Sequence, residues 1–396
     1  MNTSLRDGID WVGYVDWTIR DFHGYEIGNG TTYNAYLIRD EKTALIDTVK
    51  SHYGSQLLRN VSDFVELENI DYVICNHAEP DHSGALPEVM AAMPNATLVC
   101  DKKCETILSK YYDTSDWKIQ IIETGDNISL GKRTLQFIET PMLHWPESMF
   151  TYVPEEKLLF SMDAFGQHYA SSQRFDDEIS METILREAKS YYANIIMPYG
   201  KQTVKTIERL SSFDIDIIAP SHGLIWRSYL QELIQSYKDW AILRAKPKVL
   251  IIYETMWNST SEMAQAIFEG ASIPGVDVRL IRISSSSLAQ IANEILDAAT
   301  VAFGSSTLNT EMLPPVAEVL TYLKGLRPVG KAGFAFGSYG WGRGGPEAID
   351  EYMKTMKWEI LLDPIKAQYR PTAEIKDECI KAGKLLATKA KDLAEN

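Results

Sequence analysis

Seven side chains in this sequence have the types and spacing to hold metal. Four of them fall within six residues, His77-Ala-Glu79-Pro-Asp81-His82, directly after the apolar run 71–76 and before Ser83-Gly84. Alternate residues of an extended segment point to one side, so His77, Glu79 and Asp81 can converge, and His82 turns in as a helix begins. Three further candidates stand at strand ends: His144 in Leu-His-Trp-Pro, Asp163 in Ser-Met-Asp-Ala and His222 in Pro-Ser-His-Gly. Such a set of imidazoles and carboxylates suits two metal ions about 3.5 Å apart, with one carboxylate shared between them. No thiolate belongs to the set. Mixed imidazole and carboxylate favours iron or manganese, and ligand chemistry alone leaves zinc open.

A second group of residues suits a phosphate. The apolar run 249–253 leads into Thr255-Met256-Trp257-Asn258-Ser259-Thr260 and then a helical pattern. Hydroxyls, backbone N–H groups and the positive end of a helix favour an anion. The Walker glycines and lysine are missing, which disfavours a nucleoside triphosphate. Two more loops follow apolar runs: Ser305-Ser-Thr307-Leu308-Asn309 after 299–304, and Gly337-Ser338-Tyr339-Gly340-Trp341-Gly342 after 331–336. All three leave the carboxyl ends of strands expected to be parallel, where open α/β sheets bind ligands. The glycines let backbone amides approach a flat ring, and Tyr339 or Trp341 could stack on it.

The elements that must position these residues change character along the chain. At 396 residues it is long enough for two or three domains, each with its own core. In the first part, 34–38 and 43–49 read as a hairpin, 71–76, 96–100, 119–122 and 134–139 as strands, and 149–153 with 158–161 as a second hairpin. Residues 179–192 and 226–243 read as helices and 215–219 as a strand, with Asp176 on a surface loop and 244–248 as a charged linker. From there strands at 249–253, 276–283, 299–304 and 331–336 alternate with helices at 261–270, 291–297 and 314–324. Regular βα alternation predicts a doubly wound parallel sheet. The expected domains are 1–245 and 246–396.

Composition narrows the function. A net charge of −15 with no basic run argues against a general nucleic-acid binder. Residues 1–12 have neither the basic start nor the apolar core of a signal peptide, and no stretch reaches membrane-spanning length. The four cysteines form no CxxC pair, so neither a disulfide scaffold nor a rubredoxin-type iron site is expected. The cytoplasm is the expected compartment.

The ligand pattern resembles the metallo-β-lactamase superfamily, whose hydrolases carry H-x-H-x-D-H followed by His, Asp and His. Here Glu79 replaces the second His, and H-x-E-x-D-H is the mark of the flavodiiron proteins. Asn34-Ala-Tyr-Leu, Leu143-His-Trp-Pro, Phe165-Gly-Gln-His and Tyr191-Tyr-Ala-Asn are similar to theirs as well. The loop at Thr255–Thr260 resembles the flavodoxin phosphate loop, and with no G-x-G-x-x-G turn opening the helix there FMN is favoured over FAD or NAD.

The resemblance implies an α+β part, an αββα metallo-β-lactamase-like sandwich, followed by an α/β part, a flavodoxin-like sheet. It implies that His77, Glu79 and His144 bind one iron, that Asp81, His82 and His222 bind the other, and that Asp163 bridges. His23, His168 and Tyr192 are candidates for delivering protons beside Phe22 and Trp145, which are expected to pack. The implied activity is reduction of dioxygen to water, of nitric oxide to nitrous oxide, or of both. A head-to-tail homodimer or a dimer of dimers is implied, fed by a separate rubredoxin or a reduced deazaflavin. The rivals are a zinc hydrolase of the same superfamily and a gas sensor or electron carrier without turnover.

Overall fold

The computed structural model describes residues 3–395. The chain divides into two compact units. The first takes in the chain up to His23, with Ile27–Tyr192 and Lys201–Lys238; the second takes in Gly24–Glu26, Ala193–Gly200 and the chain from Asp239 onward.

Two sheets face each other in the first unit. One has seven strands in the order Thr3–Arg6, Ile9–Trp11, Tyr36–Arg39, Thr43–Ile46, Tyr72–Ile74, Thr97–Cys100 and Ile119–Ile121. Its first four strands pair antiparallel and the rest parallel. The other has five, in the order Asn127–Ser129, Thr134–Glu139, Met149–Val153, Leu158–Met162 and Ile217–Pro220. Period-two alternation aims Tyr36, Ile38, Ala44, Ile46, Ile74 and Val99 of the first sheet at Phe137, Val153, Phe160 and Ile217 of the second, and together they form one core. The opposite faces are also buried, with Leu37, Leu45, Val73 and Leu98 fully covered. Leu57, Val61, Leu86 and Val89, on the helices Gly54–Ser62 and Leu86–Ala92, are buried as well. Strands covered on both faces read as continuous apolar runs, which is why 71–76 and 96–100 are legible in the sequence.

The second unit is a parallel sheet in the order Asp277–Arg282, Lys246–Glu254, Ala298–Ser305, Ala332–Tyr339, Glu359–Ile360, with Ile365–Gln368 also paired to Ala332–Tyr339. The strand that comes first in the chain, Lys246–Glu254, has the second on one side and the third on the other, which is flavodoxin-like doubly wound order. Val249, Ile251, Ala302 and Phe334 share a core with Ile267, Leu386 and Ala390 of the helices Ser259–Ala271 and Ala373–Glu395.

Three expectations are corrected. The linker read at 244–248 ends early, because Lys246 already begins a nine-residue strand. The helix expected at 226–243 spans Leu230–Ala241. Asp176, expected on a surface loop, is fully buried, and it explains the shortened helix. Its carboxylate accepts the N–H groups of Arg227, Ser228 and Tyr229, at 3.1, 3.0 and 2.7 Å. It thereby takes the donors that the helix start leaves open, while Trp226 is drawn into a bridge with Ile218.

Asp176→Ala is therefore expected to destabilise the protein by about 1.5–3 kcal/mol, the value of a hydrogen bond to a charged group. Denaturant unfolding followed by tryptophan fluorescence measures this, and an unchanged midpoint would contradict the anchoring role.

Candidate metal centre and cofactor cavity

The segment that carries the first ligands is fixed by a carboxylate. Asp47 accepts the backbone N–H of Asn76 at 2.8 Å and its side-chain NH2 at 3.0 Å, and Thr151 donates to Asn76 Oδ1 at 2.7 Å. His77 thus leaves the end of strand Tyr72–Ile74 in a defined direction. Pro80 opens the short helix Pro80–Ser83, whose turn brings Asp81 and His82 round. The hydroxyl of Thr48 donates to the His82 carbonyl and holds that turn from the other side.

The seven residues come together in two groups. His77, Glu79, His144 and Asp163 present ligand atoms within 4.8 Å of one another; Asp81, His82 and His222 form the second group. Asp163 faces both. Its Oδ2 lies 3.2 Å from His77 Nε2 and 3.0 Å from His144 Nε2. Its Oδ1 lies 3.0 Å from His82 Nε2 and 3.2 Å from His222 Nε2. Glu79 Oε2 closes the first group, 3.2 Å from His77 and 3.3 Å from His144, and Asp81 Oδ2 the second, 3.2 Å from His222.

The orientation of these atoms fits metal ions. His82 Nε2, His222 Nε2, Asp163 Oδ2 and Asp81 Oδ1 are buried without a well-directed hydrogen bond, although charged partners stand close by. Buried polar atoms ordinarily find partners. Atoms that crowd together yet do not point at one another are aimed at points between them, where cations would sit. Nitrogen and carboxylate oxygen are suitable donors for iron.

Electrostatics agree. Burial would raise the Asp163 carboxyl, but His82, His144, His222 and His77 outweigh it and hold it well below the carboxylate range. Burial would lower the imidazoles, yet Asp163 and Glu79 push His144 up to about 9, and Asp163 and Asp81 push His222 up to about 10.

Around the cluster the expected residues divide. His23, its side chain 40% exposed, places Nε2 2.8 Å from Glu79 Oε1. His168 is buried, with Nδ1 2.9 Å from the Thr31 hydroxyl and its ring against Phe22 and Tyr191. Burial and the neighbouring His222 hold its pKa well below the ordinary value, so it is neutral at pH 7. Trp145 sets its ring at 5.2 Å, edge-on, against His77. Tyr192 does not join this group; it packs edge-to-face on Tyr237 at 5.0 Å, and its hydroxyl faces Thr203. Its neighbour does: the Tyr191 hydroxyl donates to Asp163 Oδ1 at 2.8 Å.

Helical geometry separates adjacent residues by about 100°, so only one of the two tyrosines can face the cluster. Sequence reading also missed Glu147, fully buried beside His77. An acid inside the run 143–150, whose remaining members are largely apolar, was the available signal.

The second unit carries a cavity of about 570 Å³ at the carboxyl edge of its sheet. Met256, Trp257, Ser259, Thr307, Leu308, Asn309, Ser338, Tyr339, Gly340, Trp341 and Gly342 line it, joined by Ser306, Thr310 and Tyr369, which the sequence reading did not include among its site residues. Trp257 and Trp341 are 86% and 94% exposed, free to cover a flat ring. Four expected residues are not among those that line the cavity. Thr260 Oγ1 lies 3.0 Å from both Ser306 Oγ and Ser338 Oγ, tying the three loops together. Ser305 accepts the Leu313 N–H, and Asn258 takes a left-handed φ of 65° just before helix Ser259–Ala271. Thr255 keeps a buried hydroxyl without a hydrogen-bond partner, suited to a phosphate oxygen at that helix start.

A metallo-β-lactamase-like unit with two clustered ligand groups, continuous with a flavodoxin-like unit, defines a class of redox protein. Comparison with known proteins places the chain within it. Residues 31–223 match the ODP family beta lactamase and residues 251–383 match flavodoxin. The nitric oxide reductase of Moorella thermoacetica is 44% identical over 98% of this chain and 99% of its own. Among solved structures, the rubredoxin oxygen:oxidoreductase of Desulfovibrio gigas superposes with a TM-score of 0.97 at 39% identity, covering 100% of both chains. The flavodiiron protein of Giardia intestinalis gives 0.97 at 36% identity, over 100% of this chain and 98% of that one. The chain belongs to the flavodiiron proteins. Among the described residues no helix is long and apolar enough to cross a membrane.

Metal ligation requires neutral imidazoles, whereas His144 and His222 carry protons at pH 7 when no cation replaces them. Adding ferrous ion anaerobically to metal-stripped protein at pH 7 should therefore release protons, and the release should shrink as the starting pH is raised toward 9, where His144 begins to lose its own. An indicator in weak buffer reads this; binding at pH 7 without proton release would contradict the assignment.

Proposed function

We propose that this chain is a flavodiiron oxidoreductase that reduces dioxygen to water, nitric oxide to nitrous oxide, or both, for detoxification of these gases. The observation that carries the reading is Asp163, whose two oxygens face separate ligand groups in a chain that also bears a flavodoxin cavity. His77, Glu79 and His144 would hold one iron, Asp81, His82 and His222 the other, and Asp163 both. FMN would occupy the cavity, its phosphate at Thr255 and Ser259 and its ring between Trp257, Tyr339 and Trp341. When bound, these groups supply electron transfer and a place for a small gas to accept electrons.

The protein's own residues supply protons and exclude water. His23 bridges solvent and Glu79 and can relay protons inward. His168 is held neutral beside Thr31, and a proton that reached it would be given up readily. The Tyr191 hydroxyl keeps Asp163 oriented, and Phe22 and Trp145 supply apolar wall. Glu79 in place of an imidazole and the flavodoxin unit both weigh against a zinc hydrolase.

The proposal extends to assembly and supply. A head-to-tail homodimer, or a dimer of dimers, would bring the FMN of one subunit to the iron pair of another. A separate rubredoxin is the favoured donor, with a reduced deazaflavin as the other, and the relatives' names support a rubredoxin partner. The cytoplasm is the proposed location, and neither nucleic acid nor membrane is a partner. Residues 1–245 and 246–396 are proposed to act as separable domains.

Purified protein should contain about two irons and one FMN per chain and consume dioxygen or nitric oxide anaerobically supplied with reduced rubredoxin. Asp163→Ala should lose both irons and gas consumption while keeping FMN. Two retained irons with near-normal rates would refute the ligand assignment. Deleting 247–396 should leave a folded domain that keeps its metal but no longer turns over with rubredoxin; full-rate turnover would mean that electrons bypass the flavin.

A further inference from the structure

We propose that Glu147 is a positioning residue for the metal centre: it fixes the tautomer of His77 and adds a buried negative charge behind that ligand. The inference rests on the reading of His77 as a metal ligand.

Glu147 is fully buried, three residues beyond His144. Its Oε1 lies 2.8 Å from His77 Nδ1 and accepts the Ala78 N–H at 3.1 Å, while its Oε2 is buried without a hydrogen-bond partner. Among the described residues no lysine or arginine forms an ion pair with it. A buried carboxylate that satisfies only one oxygen is a poor stabiliser of a fold. Its partners here are the imidazole and the adjoining amide of the loop that carries Glu79.

An ionised carboxylate only accepts hydrogen bonds, so Nδ1 of His77 must carry the hydrogen. The lone pair is then on Nε2, which lies 3.2 Å from Glu79 Oε2 and 3.2 Å from Asp163 Oδ2, inside the cluster. A carboxylate behind the ring also makes Nε2 a stronger donor. His222 is oriented differently, with Nδ1 2.6 Å from the Thr32 carbonyl, a neutral acceptor. Asp47, also buried nearby, hydrogen-bonds Asn76 and no ligand imidazole. Glu147 therefore acts on the His77 group directly, holding a cation there more tightly and favouring its more oxidised state.

The full chain with Glu147→Gln tests this. Glutamine keeps the size and an acceptor for Nδ1 but removes the charge. Ferrous ion, titrated anaerobically against a competing chelator, should bind the variant about 10–100-fold more weakly. The reduction potential of the bound iron should rise, while FMN content and the unfolding midpoint of metal-stripped protein stay at wild-type values. A purely structural role would move the midpoint and leave the affinity of folded protein unchanged, and that result would overturn the proposal. Glu147→Asp keeps the charge with a shorter reach and should bind ferrous ion more tightly than the glutamine variant. If the glutamine variant does not fold, the aspartate variant decides: wild-type affinity and potential without the His77 contact would overturn the proposal. Failure of the underlying ligand reading would look different, because wild-type protein would then bind no iron.

Discussion

The carboxylate of Asp163 is 2% exposed and stands among four imidazoles. Taking an ion out of water costs several kcal/mol even after the protein relaxes, and the cluster buries three carboxylates together with the imidazoles that face them. That cost is met only if positive charge stands between the acids, whether as protons on His144 and His222 or as cations. Asp47, Thr48 and Tyr191 keep groups of the cluster from turning away.

The delivery is shared between both sheets. His77, Glu79, Asp81 and His82 follow a parallel strand of the seven-stranded sheet. Asp163 follows Leu158–Met162, and His222 follows Ile217–Pro220, of the five-stranded one. Close-packed cores between the sheets hold those strand ends at fixed separation, so loops that would otherwise be mobile become rigid platforms. The backbone is also held in unusual conformations beside the cluster. Asp47, Met162 and Phe165 adopt φ values of 56°, 44° and 69°. Left-handed non-glycine residues cost on the order of 1–3 kcal/mol each and persist only where the surroundings over-determine them.

In the flavodoxin-like unit the organising force is gentler. Hydroxyls of Thr260, Ser306 and Ser338 meet behind the cavity, linking three loops that are far apart in sequence. The apolar rings in front stay uncovered, with Trp257 and Trp341 almost fully in solvent. Loop positions are thus set by polar contacts on the inner side, and apolar area is left for a planar ligand to bury.

What local chemistry encodes is legible in the order of residues. Apolar runs of strand length, followed by His77-Ala-Glu79-Pro-Asp81-His82 or by Ser305 and Gly337, announce both the sheets and the residues at their ends, because buried strands need continuous apolar stretches. The replacement of an imidazole by Glu79 marked the family for the same local reason. Tertiary structure alone decided which of two adjacent tyrosines meets Asp163, since that depends on where helix Met181–Tyr191 begins and how it is rotated. It also decided that Asn258, Thr260 and Ser305 stay out of the cavity lining. Asp176 looks like an ordinary surface acid in one dimension, and the apolar run around Glu147 hints at burial without naming a partner; the partners are backbone amides 51 to 53 residues away and an imidazole 70 residues away. Partners at such separations leave no periodic trace in the chain, and only packing brings them within reach.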